Sequence, residues 1–283
     1  MTDSSSMPEP PVPPRPAATV MLVRDGRAGV EVFLMERSHV GIFGGLHVFP
    51  GGKVDLADHA EGWAARACGP DDVGANRLLG VEAGGFGFWV ACIRECFEEA
   101  GVLLATDESD EPVGFHSAEI RKRFGVWRDR LNAGEAGVFE EMCAGERLRL
   151  ATDQLAYVSH WITPVDQPKR YDTRFFVARA PSEQEALHDG YETVESAWIR
   201  PEVALARFAA GKLNMISPTL KNLESIVSYA TTEALIEAKR RVDPSTIPTI
   251  LPRIVRSTSQ PSDSNLFEEL LEVVGYGGRL SEC

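Results

Sequence analysis

The stretch Arg94-Glu95-Cys96-Phe97-Glu98-Glu99-Ala100-Gly101-Val102 constrains this chain more than any other. Phe88 to Ala100 reads as a helix that stops at Gly101, a residue suited to the left-handed position past a helix end. At 100° per residue, Ala91, Arg94, Glu95, Glu98 and Glu99 share one arc of about 140°. Cys92, Ile93, Cys96, Phe97 and Ala100 occupy the opposite arc and require an apolar surface to cover them. The charged arc has a bland explanation, a solvated face with an Arg94–Glu98 pair worth about 0.3 kcal/mol. Three carboxylates at i, i+3 and i+4 are less bland, because they repel one another unless a cation sits among them.

Oxygen-only ligands of that kind suit Mg²⁺ or Mn²⁺, which keep several waters and bind substrate phosphates directly. The overall charge bears on this. With 29 Lys and Arg against 42 Asp and Glu, the 283 residues carry a net charge of −13. Such a balance argues against a broad basic surface for nucleic acid. It leaves room for a small polyanion, since divalent cations neutralise acidic ligands before phosphates arrive. The 43% apolar and 25% charged content is that of a globular protein of one large domain or two small ones.

No stretch approaches the roughly 18 apolar residues of a membrane span, and Met1–Ala18 has no apolar core of a secretory signal. Five cysteines, an odd number without a CxxC pair, read as reduced thiols. The expectation is a cytoplasmic protein with no membrane and no nucleic-acid partner. Cys92 and Cys96, four apart on the helix, read as small buried apolar residues rather than metal ligands.

Along the chain, residues 1–18, with six prolines, read as a disordered tail, and folded sequence is expected from Thr19. Val20–Val23 and Val30–Met35 read as strands joined at Asp25-Gly26. A glycine-rich stretch from Gly41 ends in Phe49-Pro50-Gly51-Gly52. Residues 59–87 and 106–150 read as insertions, the second helical with a break near Asn132-Ala133-Gly134. Strand signals return at Ala156–Ile162, Thr173–Ala180 and Val194–Ile199. A helix is expected over Pro201–Ala210. Ser217-Pro218 then opens one longer helix with the stripe Leu220, Leu223, Ile226, Val227, Ala230 and Leu235. The folded domain spans 19–256, followed by a linker and C-terminal tail over 257–283.

The helix and the glycine turn together resemble the signature of the Nudix hydrolases, G-x5-E-x7-R-E-U-x-E-E-x-G-U, where U is bulky and aliphatic. Arg94, Glu95, Glu98, Glu99, Gly101 and Val102 match its second half, with Cys96 at the first U; Gly52 matches its start, with Asp58 where Glu is usual. Residues 59–93 make 35 intervening positions instead of 7, an insertion of 28. A split box preceded by F-P-G-G is itself similar to one Nudix branch, which includes peroxisomal acyl-coenzyme A diphosphatases and bacterial relatives. The likeness runs over about residues 19–225. It takes in Phe33–Ser38, His47–Asp55, Trp161–Pro164 and Lys169–Phe176.

The resemblance implies an α/β fold: a Nudix α/β/α sandwich with a mixed sheet, helical insertions and a C-terminal helical extension. It implies cleavage of a diphosphate with Mg²⁺ or Mn²⁺ held by Glu95, Glu98 and Glu99 and the carbonyl of Gly51 or Gly52. Arg94 would orient Glu95 by a charge-assisted hydrogen bond. Arg37, Arg170 and Arg174 are candidates for a substrate phosphate, against surface pairing, and Glu192 or Glu195 for an extra carboxylate. His47, Trp161 and Phe175 read as packed residues. The substrate expected is coenzyme A or acyl-CoA, although His39–Val48 lacks the arginine that related coenzyme A signatures carry there. NADH, ADP-ribose or another nucleoside diphosphate derivative, or a non-hydrolytic binding module, are the alternatives. Homodimers are common among such enzymes and compatible with this chain.

Overall fold

The computed structural model describes residues 11–38, 44–190, 192–254 and 271–276. Residues 1–10 of the expected tail, 39–43 of the glycine-rich stretch and most of the expected 257–283 segment lie outside the described residues. The chain opens with β1 (Arg15–Gly26) and β2 (Gly29–Arg37), an antiparallel hairpin. The short strands β3 (His47–Val48) and β4 (Gly51–Lys53), then α1 (Asp72–Leu79) and α2 (Phe86–Ala100), follow. Next come β5 (Ala105–Thr106), α3 (Ala118–Asn132), α4 (Val138–Gly145) and β6 (Arg149–Leu150). The C-terminal half contains β7 (Ala156–Ile162), β8 (Tyr171–Arg179), β9 (Thr193–Ile199), α5 (Pro201–Ala209), α6 (Ser217–Glu224), α7 (Thr232–Arg240), β10 (Thr249–Ile254) and β11 (Leu271–Tyr276).

Among the described residues nine strands form one mixed sheet, in the order β11-β10-β7-β8-β1-β2-β3, with β4 also on β1 and β9 also on β2. β1 runs parallel to β8 and β7 parallel to β10; the other pairs are antiparallel. The strand runs are apolar on both sides because both faces of the sheet are covered. Val20, Leu22, Phe33, Met35 and Phe176 face α2 and the insertion helices. Met21, Val23, Val32, Leu34 and Val177 face the opposite core with Leu223, Ile226 and Leu235.

Several boundaries differ from the sequence expectation: β10 and β11 are strands that it does not include, β11 within the expected 257–283 segment, and two further differences have a clear physical cause. β1 starts at Arg15 rather than Thr19, because Arg15 donates its amide to the Arg170 carbonyl (2.9 Å) and Pro16 accepts from Val54 (2.9 Å). Proline costs this strand only a donor, not an acceptor. The single helix expected after Ser217-Pro218 is two helices. The Thr231 hydroxyl caps α7 by accepting from the amide of Ala234 (3.2 Å), and Asp25 accepts from the amide (2.7 Å) and hydroxyl (2.9 Å) of Thr232. These bonds restart the chain as a new helix, and Val227 is left 41% exposed, off the apolar stripe. Trp161 and Phe175 are core residues, and Cys92 and Cys96 are fully buried. No helix among the described residues is long and apolar enough to cross a membrane.

Candidate active site

The helix that carries the carboxylates begins two residues earlier than expected and is buried on nearly every side. It ends at Gly101, whose left-handed backbone (φ 67°) lets its amide return to the Phe97 carbonyl (3.0 Å). The solvated-face explanation of its charged arc fails: Arg94 is 8% and Glu99 6% exposed. Charged groups at that depth must be paired or hydrogen-bonded.

Arg94 meets that requirement. Its Nε and Nη2 donate to the two carboxylate oxygens of Asp58 (2.9 and 2.8 Å), and Nη2 also donates to the Lys53 carbonyl (2.8 Å). Nη1 reaches Glu95 (2.9 Å) and Glu98 (3.3 Å). Asp58 is itself 2% exposed and accepts from the amide of Asp55 (2.8 Å) in a short 3-10 turn, Leu56–His59. The signature that is split in sequence is therefore continuous in space. The 28 additional residues do not displace Asp58, because they leave the chain after this turn. Among them, α1 supplies the Asn76 side chain that accepts from the Gly85 amide (2.7 Å) at the start of α2.

The glycine turn closes the site from the sheet side. Glu99 Oε2 accepts from the amide of Gly51 at 2.8 Å. A Cβ on Gly51 would lie 2.6 Å from the Thr19 Cα, and a Cβ on Gly52 would lie 2.5 Å from the carboxylate of Glu95. Neither position accepts a side chain, so the backbone here lies directly against the carboxylates.

These carboxylates have too little positive charge around them. Burial is the main cause that pushes the Glu95 carboxyl up, Arg94 opposes it and Glu98 adds to it; the outcome is about 7. Burial likewise raises Glu98 against Arg94, with help from Glu192 and Asp55. Glu99 is held well above the usual carboxylate range by burial and Glu95, against the Gly51 amide and Arg37. An added cation would relieve all three. The donors are hard oxygens, which suit Mg²⁺ or Mn²⁺. Among the described residues no group of three or more His, Cys, Asp or Glu side chains stands close enough together to hold a metal ion by itself. Mg²⁺, which retains waters and takes substrate oxygens as ligands, does not require such a group.

Arg94, Glu95, Glu98, Glu99, Gly51 and Gly52 thus come together as the sequence pattern indicates. Arg37 stands at the rim, paired with Glu192 (3.0 Å), and both act electrostatically on Glu99. Arg170 and Arg174 do not join them. Arg170 is buried and donates to the carbonyls of Thr163 (3.0 Å) and Val12 (2.8 Å), holding the start of β1 to β8. Arg174 is buried over the Phe88 ring and bonded to Asp172 and His160. The surface pairing weighed for these arginines is thus, for Arg174, a pairing with Asp172 inside the protein. His47 is partly buried, with Nε2 4.0 Å from Glu36.

Two predictions follow from these networks. Asp58→Ala leaves the buried Arg94 without its bidentate partner and is expected to cost about 3 kcal/mol. A urea midpoint within error of wild type would show that Arg94 does not depend on Asp58. Burial raises the Asp172 carboxyl, but the His160 hydrogen bond and the Arg174 charge outweigh it and leave it below 3.8. Its stabilisation is therefore present above 3.8 and lost as pH falls through the lower folded value. Asp172→Asn should cost about 2 kcal/mol at neutral pH, and its gap to wild type should close in acid. A gap that persists at the lowest pH where both proteins fold would refute the assignment.

With this geometry in place, comparison with known proteins identifies the lineage. A family model described as the NUDT19 Nudix domain matches residues 75–226. The chain is 30% identical to acyl-coenzyme A diphosphatase NUDT19 of Gallus gallus over 237 residues, covering 70% of this chain and 61% of the relative. The Homo sapiens protein of the same name is 26% identical over 233 residues, covering 71% and 62%. The chain thus matches about three fifths of the length of these relatives. Among solved structures, a NUDIX hydrolase from Alicyclobacillus acidocaldarius superposes with a TM-score of 0.66 at 25% identity, over 80% of this chain and 96% of that one. The α/β fold expected from the sequence, a mixed sheet between helices, is the one found. A family match over more than half of the chain, on a fold that reunites the split signature around Arg94, makes this protein a member of the Nudix hydrolase family.

Proposed function

We propose that the protein hydrolyses the diphosphate bond of coenzyme A or acyl-CoA. The products are 4′-phosphopantetheine, or its acyl form, and adenosine 3′,5′-bisphosphate. The observation that carries diphosphate hydrolysis is the reunited box: Asp58, Arg94, Glu95 and Glu98 in one network, and Glu99 fixed by the Gly51 amide. Support for the coenzyme A substrate comes from the similarity to acyl-coenzyme A diphosphatases over 70% of this chain.

Glu95, Glu98 and Glu99, with the carbonyl of Gly51 or Gly52, would hold Mg²⁺ or Mn²⁺. When bound, the cation supplies charge neutralisation on the phosphate oxygens and a more acidic water. The protein's own groups do the rest. Arg94 keeps Glu95 and Glu98 oriented without touching substrate. The Gly51 amide holds one oxygen of Glu99 and leaves the other for the site. The three glutamates divide between them the holding of cation and the acceptance of the water's proton. Arg37 exchanges Glu192 for a substrate phosphate, so recognition of the diphosphate rests on Arg37 rather than on the two buried arginines of β8 and its approach.

The test is incubation of the purified protein with Mg²⁺ or Mn²⁺ and CoA, acyl-CoA, NADH or ADP-ribose, with products identified by mass spectrometry. Adenosine 3′,5′-bisphosphate from CoA or acyl-CoA is the expected product. Turnover of ADP-ribose or NADH alone would refute the substrate, and binding without turnover would refute hydrolysis. Glu99→Gln should lower turnover about 100-fold or more with an unchanged circular dichroism spectrum. Near-full activity in that variant would contradict the role of Glu99.

A further inference from the structure

Arg128 lies on α3, in the insertion over residues 106–150, 27 positions beyond the end of the signature helix at Gly101. The hydrogen bonds of its Nε and Nη2 all go to backbone carbonyls. Nε donates to the Glu98 carbonyl (2.9 Å), and Nη2 donates to those of Glu99 (2.6 Å) and Leu187 (2.9 Å). The carbonyls of Glu98 and Glu99 belong to the last turn of α2, where helix carbonyls lack amide partners and a positive charge meets the negative end of the helix dipole. Gly101 gives the guanidinium its space: a Cβ there would lie 2.9 Å from Nη1. The Leu187 amide in turn donates to the Ala100 carbonyl (2.9 Å). The chain running on from Leu187 brings Glu192, which pairs with Arg37.

We infer that Arg128 is a positioning residue for the site: its planar fork fixes the backbone under Glu98 and Glu99 and ties it to the segment that carries Glu192. This rests on the proposal that Glu98 and Glu99 hold the divalent cation. Arg128 reaches neither substrate nor cation and acts through two successive carbonyls. Lysine, a point donor on a flexible stem, cannot span both in that geometry. The insertion is then part of the catalytic apparatus and not only an addition to the fold.

The experiment compares the wild-type chain with Arg128→Lys, Arg128→Gln and Arg130→Gln. Arg130 lies on the same helix but pairs with Glu135 and Glu141 at the surface. Mn²⁺ binding without substrate is read by electron paramagnetic resonance. Substrate kinetics are then measured across Mn²⁺ concentrations. Both Arg128 variants should bind Mn²⁺ about tenfold more weakly, with kcat falling at fixed Mn²⁺ and recovering as the metal is raised. Arg130→Gln should match wild type. Should Arg128→Gln not fold, Arg128→Lys carries the comparison, since it retains the charge and the stem. Mn²⁺ affinity equal to wild type in the Arg128 variants, whatever the change in Tm, would overturn the inference and leave only a structural staple. A wild type that binds no Mn²⁺ would instead overturn the proposed function, and the inference with it.

Discussion

A guanidinium buried to 8% exposure between a helix and a glycine turn is the interaction on which the rest of this structure depends. Burying such a charge is unfavourable by several kcal/mol unless its donors are satisfied. Asp58, Lys53, Glu95 and Glu98 satisfy those of Arg94. The four partners come from three local elements: the 3-10 turn, the end of β4 and α2 itself. Formation of the network therefore requires the helix, the glycine strand and the turn to adopt their final relation together. Gly51 and Gly52 complete the arrangement, because any side chain there would meet the β1 backbone or the Glu95 carboxylate.

This dependence explains how the fold accommodates 28 additional residues within its signature. The entropy of closing a loop grows only slowly with its length, so the insertion is tolerated if its ends are held. One end is held by Asp58, whose turn is closed by Asp55 before the insertion begins. The other is held where the Asn76 side chain of α1 accepts from the Gly85 amide at the start of α2. The two insertions also meet each other, with the rings of Trp63 and Phe139 5.5 Å apart. Asp, one methylene shorter than the usual Glu, reaches Arg94 in both oxygens, so the substitution keeps the bidentate pair.

Much of the site was legible in the sequence because its chemistry is local. Arg94, Glu95, Glu98 and Glu99 lie within two turns of helix, and Gly101 marks the end of it. The five longest strands, β1, β2, β7, β8 and β9, were legible for the same reason, down to the bounds of β7 at Ala156–Ile162, whereas the short β3 to β6 and the pair β10 and β11 were not. What was not legible is decided by contacts distant in sequence. The break between α6 and α7 depends on Asp25, 207 positions from Thr232. The early start of β1 depends on pairing with β8. Arg174 carries no local sign that its guanidinium turns inward to His160 and Asp172 rather than toward a ligand. Arg128 left no trace at all, since its partners are carbonyls that every residue possesses.

The central claim is that Glu95, Glu98 and Glu99, set against the glycine turn, form one divalent-cation site despite the split in the sequence. It is tested most directly by anomalous diffraction at the manganese edge from crystals of this protein grown with Mn²⁺. Anomalous density among these three carboxylates, within coordination distance of the carbonyl of Gly51 or Gly52, is the result expected. Anomalous density confined to other carboxylates, or none at a Mn²⁺ concentration that supports activity, would contradict it.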